Sequence, residues 1–301
     1  MNPFLVIGGP TASGKSALAI KLAQDFGGEI INADSVAMYR RFDIGTAKPS
    51  LSDRKAVPHH LFDILEPEEE LDASRYGDLA LAKIEELQSK GKLAIVVGGS
   101  GLYLRALMRE KFHDLPHSPD LRSELSAFSS DELFKRLQAV DPERALKIHQ
   151  NDHFRLARAL EIFTLTRKTM AELTEVPSKE SQQDAFIITI EPDRKILHQR
   201  IASRTEKMLN EGLIEEVKQI LASGVPPTAK PFSTIGYKQV LAFVEGQLAL
   251  SQLHDQILFA TRQLAKRQCT WFHKLSSDIR LASEILTPES LSTLENFLKT
   301  S

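Results

Sequence analysis

The sequence predicts an α/β fold: a parallel sheet that carries a phosphate-binding loop and is interrupted by an all-helical insertion. Three observations predict it. Phe4 to Phe26 (FLVIGGPTASGKSALAIKLAQDF) passes from a short apolar run through a glycine-rich turn into helical spacing, with Ala17, Leu18, Ala19, Leu22, Ala23 and Phe26 as its apolar positions. Glu29 to Ala33 reads as a second strand, and the continuous apolar runs Leu93 to Val97 and Ala185 to Ile190 suit buried parallel strands. From Leu121 to about Ser181, charged amphipathic helical segments replace the strand-helix alternation. The expected division is a core of residues 1–120 and 182–301 around a helical insertion of residues 121–181.

The first turn carries the strongest chemical signal. Gly9 and Gly14 are followed directly by Lys15 and Ser16, which completes the pattern G-x-x-x-x-G-K-S. Average residue usage produces these fixed positions by chance in on the order of one chain in a hundred of this size. Glycine permits the dihedrals that turn backbone N–H groups inward, and the helix that follows adds the positive end of its dipole. Gly9, Pro10, Thr11, Ala12, Ser13, Gly14, Lys15 and Ser16 therefore form the candidate cradle for an anion with several phosphate oxygens. Lys15 supplies a full charge to the terminal phosphates, and the Ser16 hydroxyl is the candidate ligand for an accompanying Mg²⁺.

The second strand ends on Asp34-Ser35, and the carboxyl ends of strands in an open α/β sheet line the ligand crevice. Asp34 is thus placed near the phosphate loop by topology. Tyr39 to Pro49 reads as a glycine- and proline-punctuated loop, and Pro58-His59-His60 precedes a short apolar run, Leu61 to Leu65. His59 and His60 are read as structural or backbone-bonding groups. Ala73 to Ser89 has helical spacing, and the strand Leu93 to Val97 stops at Gly98-Gly99-Ser100-Gly101. That second glycine-rich strand end leaves backbone room for a substrate and makes Ser100 a candidate contact.

Within the insertion, Asn151-Asp152 caps a helix whose Leu156, Leu160 and Phe163 share one face. Arg155 and Arg158 point roughly the other way, which fits a solvated face or a binding face. Arg194 to Leu221 repeats the theme: Leu197, Ile201 and Met208 form a stripe, with Arg200, Arg204 and Lys207 at helical spacing as solvent ion pairs or a phosphate clamp. After the break at Gly224, Pro226 and Pro227, Asp255 to Phe272 carries Arg262, Lys266 and Arg267 with Trp271 and Phe272 inside the basic run. Basic charge interleaved with aromatics fits nucleic acid, although a lone tryptophan such as Trp271 is more often core. Pro288 to Lys299 closes the chain as a plain helix.

Composition excludes little. The chain has 301 residues, 42% apolar and 26% charged, enough for one large domain or two. A formal net charge of −2 leaves any nucleic-acid contact to local basic faces. The single cysteine, Cys269, rules out an internal disulfide and a cysteine-rich zinc site, and its helical setting reads as a buried, inert thiol. The chain starts on a strand rather than a charged leader, and no apolar run approaches the roughly 18 residues of a membrane span, so a cytoplasmic location is expected.

The phosphate loop leaves kinases, nucleotide hydrolases, diphosphate-using transferases and nucleotide-sensing nucleic-acid binders open. Three features narrow the choice. The Leu93–Val97 strand ends in Gly-Gly-Ser rather than an acidic metal ligand, the strong acid sits at Asp34, and the arginine-rich faces exceed what a small-metabolite kinase needs. The runs GPTASGKS (Gly9–Ser16), DSVAMYR (Asp34–Arg40), DIGTAKP (Asp43–Pro49), PHHLFDI (Pro58–Ile64), VGGSGLYLRAL (Val97–Leu107), NDHFRLARALE (Asn151–Glu161), IGYKQ (Ile235–Gln239) and TRQLAKRQCTWF (Thr261–Phe272) resemble, in order and spacing, the bacterial tRNA dimethylallyltransferases.

The resemblance implies a P-loop NTPase-like parallel sheet core with an all-helical insertion domain that grips the anticodon stem of tRNA. It implies transfer of a dimethylallyl group from dimethylallyl diphosphate to N6 of the adenosine at tRNA position 37, by a monomer. An exocyclic adenine amine is a poor nucleophile, so a base helps as the C–N bond forms, and Asp34 is the candidate. Lys15, Thr11, the loop amides and Mg²⁺ on Ser16 would stabilise the departing diphosphate. By resemblance, Arg204 contacts the diphosphate, with Arg200 the weaker candidate, and Ser100 contacts the base or the bridging oxygen. The expected tRNA contacts are Asp34, Ser35, Val36, Ala37, Ser100, Arg122, Arg155, Arg158, Lys266 and Arg267. Ser100 stands where the family usually has threonine, Ala37 where many members have glutamine, and Phe154 is a further departure beside Arg155.

Overall fold

The structure is a computed structural model and describes residues 3–108, 115–174 and 185–300. The apolar runs form a six-stranded, wholly parallel sheet: β1 (Phe4–Gly8), β2 (Gly28–Asn32), β3 (His59–His60), β4 (Leu93–Gly98), β5 (Ala185–Ile190) and β6 (Ile279–Leu281), in the order β3-β2-β4-β1-β5-β6. β1 lies at the centre because every one of its residues is buried, with Leu5 opposite Ile95 on one side and Phe186 on the other. Parallel neighbours need crossovers, and helices supply them. In α1 (Lys15–Phe26), Leu18, Ala19, Leu22 and Ala23 turn onto the sheet and join Leu5, Ile7, Ile30, Ile95 and Ile188 in one apolar cluster.

Local chemistry sets the other boundaries. α2 (Leu51–Ala56) starts on a capping box between Ser50 and Asp53, and α3 (Ala73–Ser89) on the Asp72 side chain. α3 packs along α4 (Gly101–Met108) with Tyr76 stacked on Tyr103 at 4.1 Å between ring centres. His59–His60, ahead of the apolar run Leu61 to Leu65, is the edge strand, and Leu61 and Asp63 have left-handed φ values of 59° and 55° that end it.

The chain divides into two compact units, residues 1–108 with 182–301, and residues 109–181. The division falls at 108/109, not at the expected 120/121, because Ser118 caps a helix that begins at Pro119 and packs within the second unit. That unit holds α5 (Pro119–Ser126), α6 (Ser130–Val140), α7 (Pro142–Leu146), α8 (His153–Thr166) and α9 (Met170–Thr174), and its core is Leu125, Leu133, Leu137, Ile148, Leu156 and Leu160. The expected helical stretch continues over 175–181, which lies outside the described residues.

The predicted helix from Arg194 to Leu221 is two helices, α10 (Arg194–Asn210) and α11 (Leu213–Ala222). Gly212, at φ 99°, makes a turn that a side-chain-bearing residue strongly resists. α12 (Tyr237–Val244), α13 (Leu250–Lys274) and α14 (Pro288–Thr300) complete the first unit. Among the described residues no helix is long and apolar enough to cross a membrane.

Candidate functional site

The site is assembled where the carboxyl ends of β1, β2 and β4 meet α10 and α13. The phosphate loop runs from β1 into α1. Gly14 adopts φ 96°, and a Cβ there would lie 2.7 Å from Glu284 Oε2, so both conformation and space exclude a side chain. The N–H groups of the first turn of α1 are the orphan donors that every helix start leaves. Lys15 folds back so that its Nζ donates to Pro10 O at 3.2 Å. Burial first, and then the positive charge of Arg204, pull its pKa from the ordinary lysine value to about 8, while Asp34 acts in the opposite direction. Ser16 is exposed at the mouth.

α10 supplies two guanidiniums with different duties. Arg204 donates to Thr11 Oγ1 at 3.2 Å, and burial pushes its pKa down while Asp34 opposes the shift. Arg200 is committed to the protein: it makes two bonds to the Glu284 carboxylate, 2.9 and 3.0 Å, and one to Ser13 O at 3.2 Å. Arg200 thus braces the outside of the loop.

Asp34 is held by its own strand end. The buried Asn32 side chain accepts from Asp34 N at 2.9 Å and donates to Asp34 O at 2.9 Å and Leu61 O at 3.1 Å. Val36 N donates to Asp34 Oδ1 at 2.9 Å, which closes an Asx turn and fixes the carboxylate. No regular helix follows, so Asp34 is not a helix cap. Ser100, at the end of β4, accepts from Ser35 N at 3.3 Å through its hydroxyl. The glycine before that turn is obligatory, since a Cβ on Gly98 would lie 2.1 Å from Ala33 O.

These groups line connected space. Thr11, Asp34, Ser100, Arg204, Arg267 and Trp271 border a cavity of about 580 Å³, together with Ser35 and Val36. Lys15, Ser16 and the buried Ala37 border a narrower one of about 80 Å³. Thr11, Asp34, Thr46 and Arg204 belong to both. The larger volume lies in the usual range for a small-molecule site. The structure therefore brings the loop, Asp34, Ser100 and Arg204 together. Lys266 and Arg267 are exposed on α13, and Arg267 reaches the cavity wall.

Arg122, Arg155 and Arg158 belong to the second unit, and two of them are engaged there. Arg122 and Arg158 both pair with Glu161, whose side chain is fully buried, and Arg158 also donates to Leu115 O and Pro116 O. Burial alone would raise the Glu161 pKa; the Ser118 amide and the two guanidiniums outweigh it and hold the carboxyl below the usual range. Arg155, 71% exposed, pairs with Asp152 at 3.3 Å. His59 borders the narrower cavity but its Nδ1 bonds Val57 O at 2.7 Å, and His60 Nε2 bonds Glu29 at 2.6 Å. Cys269 is half-buried, and burial raises its pKa, so it stays a thiol.

Two supports are absent from the sequence reading. Glu216 on α11 accepts from the N–H groups of Asp43 and Ile44 at 3.1 and 2.8 Å, and its other oxygen accepts from the Tyr237 hydroxyl at 2.5 Å. Tyr237 in turn accepts from Gly45 N at 3.0 Å. The motifs DIGTAKP and IGYKQ are thus two halves of one clamp that sets Thr46 against the cavity. Lys48, 2% exposed at its side chain, joins Asp43 and Asp63 at 2.6 and 2.5 Å. A lysine flanked by acids in a loop was the available signal.

The sequence profile described as IPP transferase matches residues 37–275. The chain is 46% identical to tRNA dimethylallyltransferase 1 of Citrifermentans bemidjiense over 90% of its own length and 89% of that protein. It is 42% identical to the tRNA dimethylallyltransferase of Methylococcus capsulatus, covering 91% and 90%. The solved tRNA isopentenylpyrophosphate transferase of Bacillus halodurans superposes with a TM-score of 0.72 at 32% identity, over 100% of this chain and 96% of that one. A eukaryotic dimethylallyltransferase solved acting on tRNA gives a TM-score of 0.79 at 29% identity, over 100% and 77%. The kinase alternative finds no support among these relatives. Profile, identity and shared architecture agree across nearly the whole chain, which belongs to the tRNA dimethylallyltransferase (IPP transferase) family of enzymes.

Proposed function

We propose that this chain transfers a dimethylallyl group from dimethylallyl diphosphate to N6 of the adenosine at tRNA position 37, forming N6-isopentenyladenosine and releasing diphosphate. One observation carries the assignment of roles: a fixed carboxylate, Asp34, and a phosphate cradle share the walls of one cavity. In the transfer, N6 attacks the allylic carbon, the carbon–oxygen bond breaks, and its electron pair leaves on the diphosphate. Asp34 takes the proton that N6 must shed. Its oxygen not bound by Val36 is the acceptor, and a positioned base contributes about 10²–10⁴ in rate. Lys15, Thr11, Arg204 and the loop amides meet the charge that grows on the diphosphate, where a single well-aimed donor is worth about 10²–10³. Ser100 bears on the adenine side through its hydroxyl.

The donor set fits Mg²⁺. Ser16, Thr11 and Asp34 offer oxygen alone, no cluster of three His, Cys, Asp or Glu side chains exists among the described residues, and Mg²⁺ commonly takes few protein ligands and completes its shell with phosphate oxygens and water. When bound on Ser16, the ion would supply charge to the leaving diphosphate. The tRNA backbone would be held by Arg155, Lys266 and Arg267, with Arg122 and Arg158 shaping the helical unit around Glu161 as well. The base must leave the anticodon stack, which costs least for an unpaired nucleotide. Such an enzyme acts as a cytoplasmic monomer.

Incubation with unmodified tRNA and dimethylallyl diphosphate, then nucleoside mass spectrometry, tests the reaction. A five-carbon gain on adenosine is expected. Unmodified adenosine with consumption of ATP in its place would overturn it.

A further inference from the structure

We propose that Gln268 is a positioning residue that joins the two walls of the site. It lies between them, on the lining of the larger cavity. From α13, its Oε1 accepts from Thr11 N at 2.9 Å and its Nε2 donates to Gly99 O at 2.9 Å. One side chain thus ties the phosphate loop to the turn that carries Ser100. The amide orientation follows from the partners, because a backbone N–H needs an acceptor and a carbonyl needs a donor, and only one orientation supplies both.

The neighbourhood is built for this bridge. A Cβ on Gly99 would lie 2.7 Å from Gln268 Nε2, so glycine at that position is what admits the amide. One turn further along α13, Trp271 covers Gly101, where a Cβ would lie 2.5 Å from the indole, and Phe272 covers Gly8 in the same way at 2.4 Å. α13 is therefore keyed into the ends of β1 and β4 at three successive contacts, and Gln268 is the polar one. Arg267, beside it in sequence, lines the cavity, so the same helix carries a cation for the nucleic acid and the bridge to the leaving-group cradle.

The consequence is geometric. Thr11 bonds Arg204 through its hydroxyl and Gln268 through its N–H, so the loop's position is set relative to both helices. Reacting groups must be held to within about 0.5 Å, and a misplacement of about 1 Å costs on the order of 10² in rate. Gln268 would then govern turnover more than affinity, acting through the loop and the turn that it joins. This role rests on the prenyl-transfer reading of the site.

The test uses Gln268→Glu in the full chain with tRNA and dimethylallyl diphosphate, with kcat and KM measured separately at about pH 7.5. A carboxylate keeps the acceptor for Thr11 N but has no donor for Gly99 O, and with an ordinary pKa of about 4.3 it is ionised there. The expected result is a kcat about 10–100-fold below wild type and a KM for tRNA within about twofold. Gln268→Met, which fills the space without either bond, should be at least as slow, again with little change in KM. Either variant with wild-type kcat, or with its loss confined to KM for tRNA, overturns the proposal. Wild-type enzyme that leaves adenosine unmodified would instead sink the reading on which it rests.

Discussion

Lys15 shows how a single residue is tuned before any ligand arrives. Its ammonium sits in a buried position beside a second cation, Arg204, and its pKa falls to about 8. A lysine in that state is poised to gain from an anion, because a diphosphate would remove the repulsion and favour the charged form. Protonation is complete well below pH 8 and is lost as pH rises through it. Affinity for inorganic diphosphate, measured by calorimetry, should therefore fall above about pH 8 and be accompanied by proton uptake near that pH. Lys15→Met should bind weakly with no such inflection, and a flat wild-type profile would contradict the assignment. The identity of Lys15 was legible, since the loop pattern specifies it. Its lowered pKa was not, because Arg204 arrives from α10, nearly two hundred positions later in the chain.

At the scale of elements, strands and helices follow their periodicity closely, and the departures have local causes. The helix read as Arg194 to Leu221 breaks at Gly212 because glycine at φ 99° permits a turn that the flanking Glu and Leu pattern conceals. The strand His59–His60 was hidden because β3 is a two-residue edge with polar side chains. Helix α8 gives the clearest energetic case. Its Arg158 turns back toward Glu161, since a buried carboxylate left unpaired would be costly. Glu161→Gln should lower the stability of the helical unit by about 2–3 kcal/mol at pH 7, read by denaturant unfolding or amide exchange. Because the folded carboxyl has a depressed pKa, that contribution is present above its unfolded value and disappears as pH falls through the folded one. Wild type and variant should converge in acid, and an equal gap at pH 7 and at low pH would contradict it.

For the whole molecule, the parallel sheet, the loop and the carboxylate at a strand end were all readable from sequence, because each depends on short-range pattern or on topology. The clamp of Glu216 on the 43–45 loop and the Gln268 bridge were not, because they depend on which side chains meet across long separations. The same limit applies to the arginines, whose spacing could not tell Arg155, which is largely free, from Arg158, which is occupied. Charge at this scale predicts a salt effect. Lys266→Ala with Arg267→Ala should reduce the slope of log affinity for tRNA against log salt by roughly 1.4–1.8, as two lost phosphate contacts would, and an unchanged slope would return that face of α13 to solvent.

The account stands on one opposition, a base on one wall and a leaving-group cradle on the other. Asp34→Asn keeps the acceptor that Val36 N requires and removes the charge that takes the proton, so it separates chemistry from architecture. The most direct measurement is single-turnover transfer by this variant at saturating donor, with tRNA affinity determined in parallel. Transfer should slow by about 10²–10⁴ while the tRNA Kd stays within about twofold. Normal transfer at saturation with a large loss of tRNA affinity would contradict the role of Asp34 as the base.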